Sequence, residues 1–269
     1  MPAGNVRRGL AAALLPLGIV TSAVTSGTAT ADESRLPQIE ASKVVKVCST
    51  GDYRPFTFRD DGNWQGLDID MAHSLAEHLG ADLELVPTTW PNLMNDIGSR
   101  CDVAMGGITV TAARAERALF SQPYLRDGKS AIIRCTDSAR YRTLADFDQP
   151  GVRVVENPGG TNEEFARGHI KNAQLQIYPD NNTIFEQLTS GAADVMFTDT
   201  SEIRYQTKQN PALCGVGVDQ PFTSDEKAYL LPQGDTALQN AVNQWLSTAQ
   251  HDGTYAALSN NYLGAVVGP

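Results

Sequence analysis

A hydroxyl and a guanidinium follow an apolar segment that ends in glycines. The apolar run that begins at Ala104 stops at Gly106 and Gly107, and Thr109 and Arg114 come soon after. Such a run is typical of a buried strand whose backbone reaches the edge of an open cleft. The planar fork of arginine matches both oxygens of a carboxylate. The pattern therefore predicts a carboxylate site, with a surface arginine on a solvated helix as the alternative.

Two carboxyl groups stand one helical turn apart after a second apolar run. Asp199 follows the predicted strand 194–197, and Glu202 comes three residues later on the same helical face. A second carboxyl group at the mouth of a cleft is either a solvated helix residue or a group that works in catalysis. Lys129, at a predicted crossing between two halves of the chain, adds a positive charge near them.

A glycine-rich segment opens a helix in the second half of the chain. Residues 156–163 contain Asn157, the pair Gly159-Gly160, Thr161 and Asn162. Free backbone N–H groups at a helix N-terminus bind anions, and glycines permit a close approach. Taken alone, this pattern more often indicates a simple helix cap.

The alternation of apolar runs and amphipathic segments predicts two α/β lobes. Strands at 44–48, 83–86 and 102–105 alternate with helices, and the same alternation restarts after Lys129 with strands at 130–134, 152–155, 175–178, 194–197, 216–220 and 227–231. Such an alternation of strands and helices is typical of mainly parallel sheets flanked by helices. We expect lobe 1 to comprise 32–127 and 224–269, and lobe 2 to comprise 128–223. Two crossings near 125–130 and 222–228 should join them around a cleft.

The N-terminus has the features of a signal peptide. Arg7 and Arg8 precede an apolar segment over 10–24, and small residues at 29–31 offer a cleavage site, so residues 1–31 are predicted to be removed before Asp32. We expect an exported protein, periplasmic or extracellular, that does not insert into the membrane after cleavage.

Charge and cysteine content narrow the possible partners. The formal net charge of −10 disfavours nucleic acid and anionic membranes as partners. The four histidines show no metal-ligand spacing, so no metal is predicted. An exported chain can form disulfides, and Cys135 and Cys214, both at candidate strand ends, are the preferred pair. Cys48 and Cys101 fit equally well with buried free thiols.

The motifs GGITVTAAR and FSQPYL resemble those of the periplasmic amino-acid-binding proteins that serve ABC transporters. The resemblance implies a two-lobed periplasmic-binding-protein type II fold. It implies that Arg114 binds the ligand's α-carboxylate. Thr109, the backbone near Gly107, and Thr161 would contribute to the same site. It also implies that Asp199 meets an ammonium group. Tyr53 and Trp90 would form the two aromatic faces of the site, although Tyr53 fits equally well with a turn tyrosine that covers the core.

A larger set of motifs resembles the exported cyclohexadienyl dehydratases, enzymes built on the same fold. The set consists of TGDYRPF, TTWPNLM, PYLRDGK, QPGV, NPGGTNEEFAR, PDNNTIF, ADVMFTD and EKAYLLP, and the resemblance extends over about residues 34–246. The resemblance implies a small-molecule substrate, prephenate or arogenate, which becomes aromatic without a cofactor. Glu202 would be the general acid, Lys129 would orient a charged group, and Asn157 and Asn162 would add hydrogen bonds.

Two other functions remain open on the sequence. One is an amino-acid receptor that delivers its ligand to an ABC permease and performs no catalysis. It would need neither Glu202 nor Lys129. The other is the sensor domain of a signalling system, which the lack of a kinase region in this sequence disfavours.

Overall fold

The computed structural model describes residues 1–4 and 34–268. All elements named below belong to the compact unit that begins at Ala31. The predicted signal peptide and its cleavage site before Asp32 lie almost wholly on 5–33, outside the described residues. Among the helices of the described part, none has the length and apolar character that a membrane crossing requires.

The first lobe is built on a five-stranded sheet. Its strands are β1 (Val44–Ser49), β5 (Asp82–Pro87), β6 (Val103–Ala104), β7 (Ala118–Phe120) and β15 (Leu230–Pro232). The strand order is β5-β1-β6-β15-β7, with β1 parallel to both β5 and β6. Its helices are α1 (Arg35–Ser42), α2 (Leu67–Leu79), α3 (Leu93–Asp96), α4 (Ala112–Ala115), α9 (Thr236–His251) and α10 (Thr254–Leu263). A small antiparallel sheet adds β2 (Asp52–Tyr53), β3 (Thr57–Asp60) and β4 (Asn63–Gln65).

The second lobe repeats this plan. Its strands are β9 (Lys129–Arg134), β10 (Arg153–Glu156), β11 (Gln174–Ile177), β12 (Val195–Asp199) and β13 (Leu213–Val216). The strand order is β11-β10-β12-β9-β13, and β12 pairs antiparallel with β9. Its helices are α5 (Leu144–Phe147), α6 (Thr161–His169), α7 (Ile184–Thr189) and α8 (Thr200–Gln209), with a 3-10 turn at Cys135–Asp137. Each lobe buries its own apolar clusters.

The chain crosses between the two sheets at a pair of short antiparallel strands. These are β8 (Leu125–Asp127) and β14 (Asp225–Lys227), in which Asp127 lies opposite Asp225. The crossings therefore fall where the sequence predicted them. The lobe boundaries at 127/128 and 223/224 remain a prediction.

Several elements differ from the sequence prediction. The strand expected at 216–220 is wrong, because β13 ends at Val216 and Gly217 has a positive φ of 77°. The strand expected at 227–231 is two strands, since β14 ends at Lys227 and β15 begins at Leu230. Helix α1 and the sheet of β2, β3 and β4 were not predicted from the sequence.

Each lobe contains one disulfide. The predicted bond between Cys135 and Cys214 is confirmed. The free-thiol interpretation of Cys48 and Cys101 is wrong, because these two residues also form a disulfide. The parallel pairing of β1 with β6 brings them together, with their Cα atoms 5.6 Å apart. That proximity arises from sheet pairing across 53 residues and is invisible in the local sequence.

Candidate active site

A cavity of about 270 Å³, including its open mouth, lies where the two lobes meet. Its lining residues are Tyr53, Trp90, Gly107, Thr109, Asn157, Gly160, Thr161, Asn162, Asn181 and Asp199. Eight of these were predicted as site residues, and Gly160 and Asn181 were not. Three other predicted residues, Arg114, Lys129 and Glu202, do not line the cavity.

The lobe 1 wall depends on a glycine turn after β6. Gly107 has a φ of 67°, and a Cβ atom there would lie 2.6 Å from the rings of Phe56 and Tyr53. Only glycine fits both the conformation and the space. The Gly107 N–H donates to Asp68 Oδ2 at 2.6 Å, and the hydroxyls of Tyr124 and Tyr229 donate to the same carboxylate. Asp68, to which the sequence analysis assigned no role in the site, therefore holds this turn in place.

Arg114 is buried behind this wall without a carboxylate partner in the described part of the chain. Its Nη1 donates to the backbone oxygen of Thr109 at 2.8 Å. Burial lowers the pKa of Arg114, while the charges of Glu164 and Asp199 act in the opposite direction. Buried charges are normally paired, so this guanidinium is suited to an anionic ligand.

The aromatic wall is formed by Tyr53 and Trp90. Their rings meet edge to face, with centroids 5.7 Å apart. The indole N–H of Trp90 donates to Asp52 Oδ1 at 3.1 Å, and the Tyr53 hydroxyl donates to Asp199. Tyr53 is therefore both part of the core edge and part of the cavity wall.

The lobe 2 wall contains the glycine-rich segment and meets lobe 1 directly. Gly160 precedes the first residue of α6, Thr161, and both line the cavity. A Cβ atom at Gly159 would lie 2.5 Å from Pro91 of lobe 1. Asn181 Nδ2 also donates across the cleft, to the backbone oxygen of Asp52 at 2.9 Å. These close contacts show a closed cleft that limits the access of water.

Asp199, at the end of β12, is the centre of a buried cluster of opposite charges. Lys129 Nζ lies 2.9 Å from its Oδ1, and Lys227 Nζ lies 2.6 Å from its Oδ2. The side chains of all three are buried. Burial would raise the pKa of Asp199, but the charges of Lys129 and Lys227 and the hydrogen bonds from Lys227 and Tyr53 hold it well below its usual range.

Lys227 was not predicted as a site residue, although it lies within the EKAYLLP motif. It is fully buried on β14, which together with β8 forms the two hinge strands where the chain crosses between the lobes. Its Nζ also donates to Thr109 Oγ1 at 2.9 Å. Lys129 was predicted, and it is the residue directly opposite Asp199 in the pairing of β9 with β12. Its Nζ also donates to Asn162 Oδ1 at 2.5 Å.

Glu202 lies in the first turn of α8 with 1% of its surface exposed. Thr198 Oγ1 donates to its Oε2 at 2.6 Å, and Asn162 Nδ2 donates to Thr198 Oγ1 at 3.2 Å. Because Asn162 lines the cavity, Glu202 is joined to it through two hydrogen bonds. Burial raises the pKa of Glu202 to about 8, and the charges of Asp199 and Asp52 add to that effect against the hydrogen bond from Thr198. At neutral pH this carboxyl group mostly carries a proton.

A further buried carboxyl group, Glu156, was not predicted. Its Oε1 accepts the N–H of Phe197 at 2.7 Å, and its Oε2 has no hydrogen-bond partner among the described residues. Burial raises its pKa well above the usual range, against the effects of the Phe197 hydrogen bond and the Lys129 charge. A glutamate at the end of an apolar strand, just before Asn157, is the sequence signal that could have revealed it.

Among the described residues, no group of three or more His, Cys, Asp or Glu side chains is placed to hold a metal ion. The chemistry that this site can perform with its own residues is the binding of an anion and the donation of a proton.

Comparisons with known proteins agree on the architecture. Residues 45–265 match the family model described as bacterial extracellular solute-binding proteins, family 3. The sequence is 50% identical over 258 residues to a protein of Pseudomonas aeruginosa named cyclohexadienyl dehydratase, and the match covers 95% of this chain and 94% of that protein.

Two solved structures of reconstructed ancestors are also similar. One is described as the ancestral amino acid-binding protein AncCDT-1, a precursor of cyclohexadienyl dehydratase. It is 32% identical, with a TM-score of 0.80 over 86% of this chain and 100% of that chain. The other is an ancestral cyclohexadienyl dehydratase, AncCDT-3, which is 48% identical, with a TM-score of 0.54 over 86% of this chain and 97% of that chain.

Proposed function

This chain belongs to the bacterial extracellular solute-binding proteins, family 3, and it is a dehydratase of the cyclohexadienyl type; we propose that Glu202 is its general acid. The predicted two-lobed fold of the periplasmic binding proteins is confirmed. Its substrate is a small molecule. We propose that it converts prephenate to phenylpyruvate, arogenate to phenylalanine, or both.

The observation that carries this proposal is the burial of Glu202 and its raised pKa. Glu202 is a buried carboxyl group with a pKa raised to about 8, and it is joined to the cavity through Thr198 and Asn162. A general acid works best when its pKa lies near the operating pH. A receptor that only binds an amino acid gains nothing from a desolvated, protonated glutamate. The burial of Glu202 therefore supports catalysis over transport.

The reaction needs one proton. The bond between the ring and its carboxylate breaks, carbon dioxide leaves, and the electron pair enters the ring as the bond to the hydroxyl across the ring breaks. The hydroxyl takes the proton of Glu202 and leaves as water, and solvent then returns a proton to Glu202. Hydrogen bonds of this kind often form only in the substrate complex, so a position just behind the cavity wall is compatible with the role.

Arg114 is proposed to bind the side-chain carboxylate of the substrate. Its guanidinium has a single hydrogen bond to the described protein, to the backbone of Thr109, and the remaining N–H groups can take a carboxylate in a bidentate manner. Thr109, Thr161 and the N–H of Gly160 complete this part of the cavity. Tyr53 and Trp90 are proposed to pack against the ring.

Lys129 is proposed to orient the substrate without binding the departing carboxylate tightly. A strong bond to that carboxylate would stabilise the ground state and slow its loss. Since the Lys129 Nζ already contacts Asp199 and Asn162, Lys129 can act on a substrate in the cavity only through the electrostatic field of its ammonium group. Full turnover by a Lys129→Met variant would remove this role.

The site of action is proposed to be outside the cytoplasmic membrane. The chain's family is extracellular, which supports export. Cleavage of a signal peptide before Asp32, and release into the periplasm or the medium, remain proposals. N-terminal sequencing of the secreted protein would test the cleavage site.

The direct test follows phenylpyruvate formation from prephenate by ultraviolet absorbance. Glu202→Gln keeps the shape of the side chain but cannot donate the proton, and we expect kcat to fall by roughly 10²–10⁴-fold. The matched control is Glu186→Gln, an exposed glutamate on α7, which should keep native turnover. In the native protein, kcat/KM should fall about tenfold per pH unit above a pKa of about 8, because only protonated Glu202 is active.

Two outcomes would contradict the proposal. Turnover by Glu202→Gln within a few-fold of the native value would show that another group supplies the proton. If the native protein forms no product from prephenate or arogenate but is stabilised by amino acids, the protein is a receptor. In that case an ABC permease would be its partner.

A further inference from the structure

The parallel ladder between β10 and β12 stops before the two strands end. In the described structure these strands share a single register pair, Val154 with Val195, although both continue toward the cavity. Two residues farther along β12, the N–H of Phe197 points toward β10. A regular parallel ladder would offer it the backbone oxygen of Val155. The two strands therefore diverge at their carboxyl ends.

The side chain of Glu156 fills the gap between the diverging strands. Its Oε1 accepts the N–H of Phe197 at 2.7 Å, and the residue is 0% exposed. On the other side, its backbone oxygen accepts the N–H of Tyr178, the residue that follows β11, at 2.9 Å. Glu156 thus keeps its backbone pairing on the β11 side and offers its carboxyl group to β12. An acceptor at the end of a side chain spaces two strands farther apart than a backbone acceptor does.

The strands diverge where the cavity begins. Asn157, the residue after Glu156, lines the cavity. Thr198, the residue after Phe197, donates its hydroxyl to Glu202 Oε2 at 2.6 Å. In open α/β sheets, ligands bind beyond the carboxyl ends of the strands. Glu156 therefore adjoins a wall residue along the chain and is bonded to the residue that precedes Thr198.

Glu156 does not belong to the cavity wall, and its carboxyl group is neutral. Burial raises its pKa well above the usual range, against the Phe197 hydrogen bond. The charged groups that act on it are Lys129 on β9, which lowers the pKa, and Glu202 on α8 and Glu163 on α6, which raise it. A neutral carboxyl group can remain in such a gap at much lower cost than a carboxylate.

We propose that Glu156 is a positioning residue of the reaction: its neutral carboxyl group is a spacer between β10 and β12 that places Asn157 relative to Thr198 and, through Thr198, fixes Glu202. This role rests on the proposed function, because it concerns the residue that holds the acid of that reaction in place. Glu156 itself gives no proton to the substrate.

The first experiment measures kcat with prephenate in two variants of Glu156. Glutamine has the shape of a neutral carboxyl group and its oxygen can accept the Phe197 N–H, so Glu156→Gln should keep kcat within about twofold of the native value. Methionine has a similar length but leaves this buried N–H without a good acceptor. In Glu156→Met we expect kcat to fall at least about tenfold, because small displacements of catalytic groups are costly. The control Glu84→Met, at an exposed position of β5, should keep native kcat.

The alkaline fall of kcat/KM separates a positioning role from general damage to the fold. A smaller fraction of folded protein lowers kcat but does not move this fall along the pH axis. In Glu156→Met the hydrogen bond from Thr198, which lowers the pKa of Glu202, is weakened, so the fall should move upward by less than about one pH unit. Glu156→Gln removes no charge and should keep the native profile.

Several outcomes would overturn the inference. Native kcat and a native pH profile in Glu156→Met would show that the spacer is not needed. Equal losses in Glu156→Gln and Glu156→Met would show that Glu156 acts through its own proton. A downward shift in Glu156→Gln would show that Glu156 is ionised. If Glu156→Met does not fold, Glu156→Asp replaces it: its carboxyl group ends one methylene short of Phe197, and native kcat there would equally exclude the role.

The failure of this inference and the failure of the proposed function give different results. If the native protein is active, Glu202→Gln is inactive and Glu156→Met is native-like, the proposed function stands and the spacer fails. If the native protein converts neither prephenate nor arogenate, the proposed function fails. Hydrogen exchange of the Phe197 amide then tests the spacer alone: it should be faster in Glu156→Met only, and equal protection in all variants would overturn the spacer as well.

Discussion

Asp199 and Glu202 stand three positions apart at the junction of β12 and α8, and both are buried, but their surroundings are opposite. Asp199 lies between Lys129 and Lys227 and stays ionised. Glu202 has the Thr198 hydroxyl as its hydrogen-bond partner, and its pKa is raised to about 8. We call Asp199 with Lys129 and Lys227 the ionic centre, and Glu202 with Thr198 the neutral centre.

The difference teaches that burial alone does not set the state of a carboxyl group. Burial is the largest effect on the pKa of both residues and raises it in both cases. The two lysines reverse the outcome at Asp199. At Glu202 the charge of Asp199 adds to burial, so the ionic centre helps to keep the neutral centre protonated. We expect the ionic centre to stabilise the folded structure, and we propose that Glu202 of the neutral centre supplies the proton.

The largest effect is expected from Asp199→Asn, which removes the negative charge from the ionic centre. Two buried lysines would lose their counter-ion, and the free energy of unfolding should fall by roughly 3–5 kcal/mol. Urea denaturation measures this. The control is Asp219→Asn, a 91% exposed aspartate paired with Arg204, where the loss should be about 1 kcal/mol or less. Equal stabilities of the two variants would show that the ionic centre is not structural.

The neutral centre should behave in the opposite way, because Glu202 costs stability at neutral pH. The unfolded chain ionises Glu202 above a pKa of about 4.5 while the folded chain keeps the proton up to about 8. The native state then binds more protons, so its stability falls by up to about 1.4 kcal/mol per pH unit between these values. Glu202→Gln removes this term and should be the more stable protein at pH 7.

Urea denaturation of both proteins at pH 5, 6, 7 and 8 tests the sign. The stability gap in favour of Glu202→Gln should widen with pH and level off near pH 8. A gap that narrows as the pH rises would mean that Glu202 is ionised in the folded protein, which would also exclude it as the general acid.

The sequence predicted the residues that follow strands in recognisable local motifs. Arg114, Thr161, Asp199 and Glu202 all follow glycine turns or apolar runs, and the alternation of elements gave two α/β lobes. The positions of these side chains relative to the cavity were not predicted. Arg114 and Glu202 lie behind the cavity wall and not on it. Local spacing could not predict this, because it carries no information on how far a side chain reaches.

The residues that were missed have partners far away in the sequence. Lys227 pairs with Asp199 across 28 residues, Asp68 binds the N–H of Gly107 across 39 residues, and Cys48 bonds to Cys101 across 53 residues. A lysine or an aspartate is normally exposed, and only the tertiary contacts of β14 and α2 show that Lys227 and Asp68 are buried. Sequence patterns therefore found Asp199 and its partner Lys129 but missed Lys227, which also pairs with Asp199, and Asp68, which holds the Gly107 turn.

A smaller effect is expected from Asp127, which connects the hinge to the neutral centre. Its carboxylate accepts the hydroxyl of Thr200 at 2.6 Å and the N–H and hydroxyl of Ser201, so hinge strand β8 holds the first turn of α8. Asp127→Ala should cost about 1 kcal/mol, as the loss of a helix cap does. Because Glu202 lies in the same turn, we expect kcat to fall a few-fold with KM unchanged.

The control for Asp127 is Asp82→Ala at the exposed start of β5. It should change neither kcat nor KM. A rise in KM with native kcat in Asp127→Ala would show that the hinge contact governs closure of the cleft and not the position of Glu202.

The smallest effect is expected from Thr198→Val, which alters the neutral centre without adding or removing a charge. The Thr198 hydroxyl donates to Glu202 and lowers its pKa against the larger effect of burial. Valine has nearly the same shape but no hydroxyl, so the pKa of Glu202 should rise by less than about one unit. The fall of kcat/KM at alkaline pH should move upward by the same amount, while Thr198→Ser should keep the native profile. A downward shift would show that Thr198 stabilises the protonated acid, in which case the hydroxyl accepts the Glu202 proton in the resting enzyme and belongs to the path along which that proton leaves.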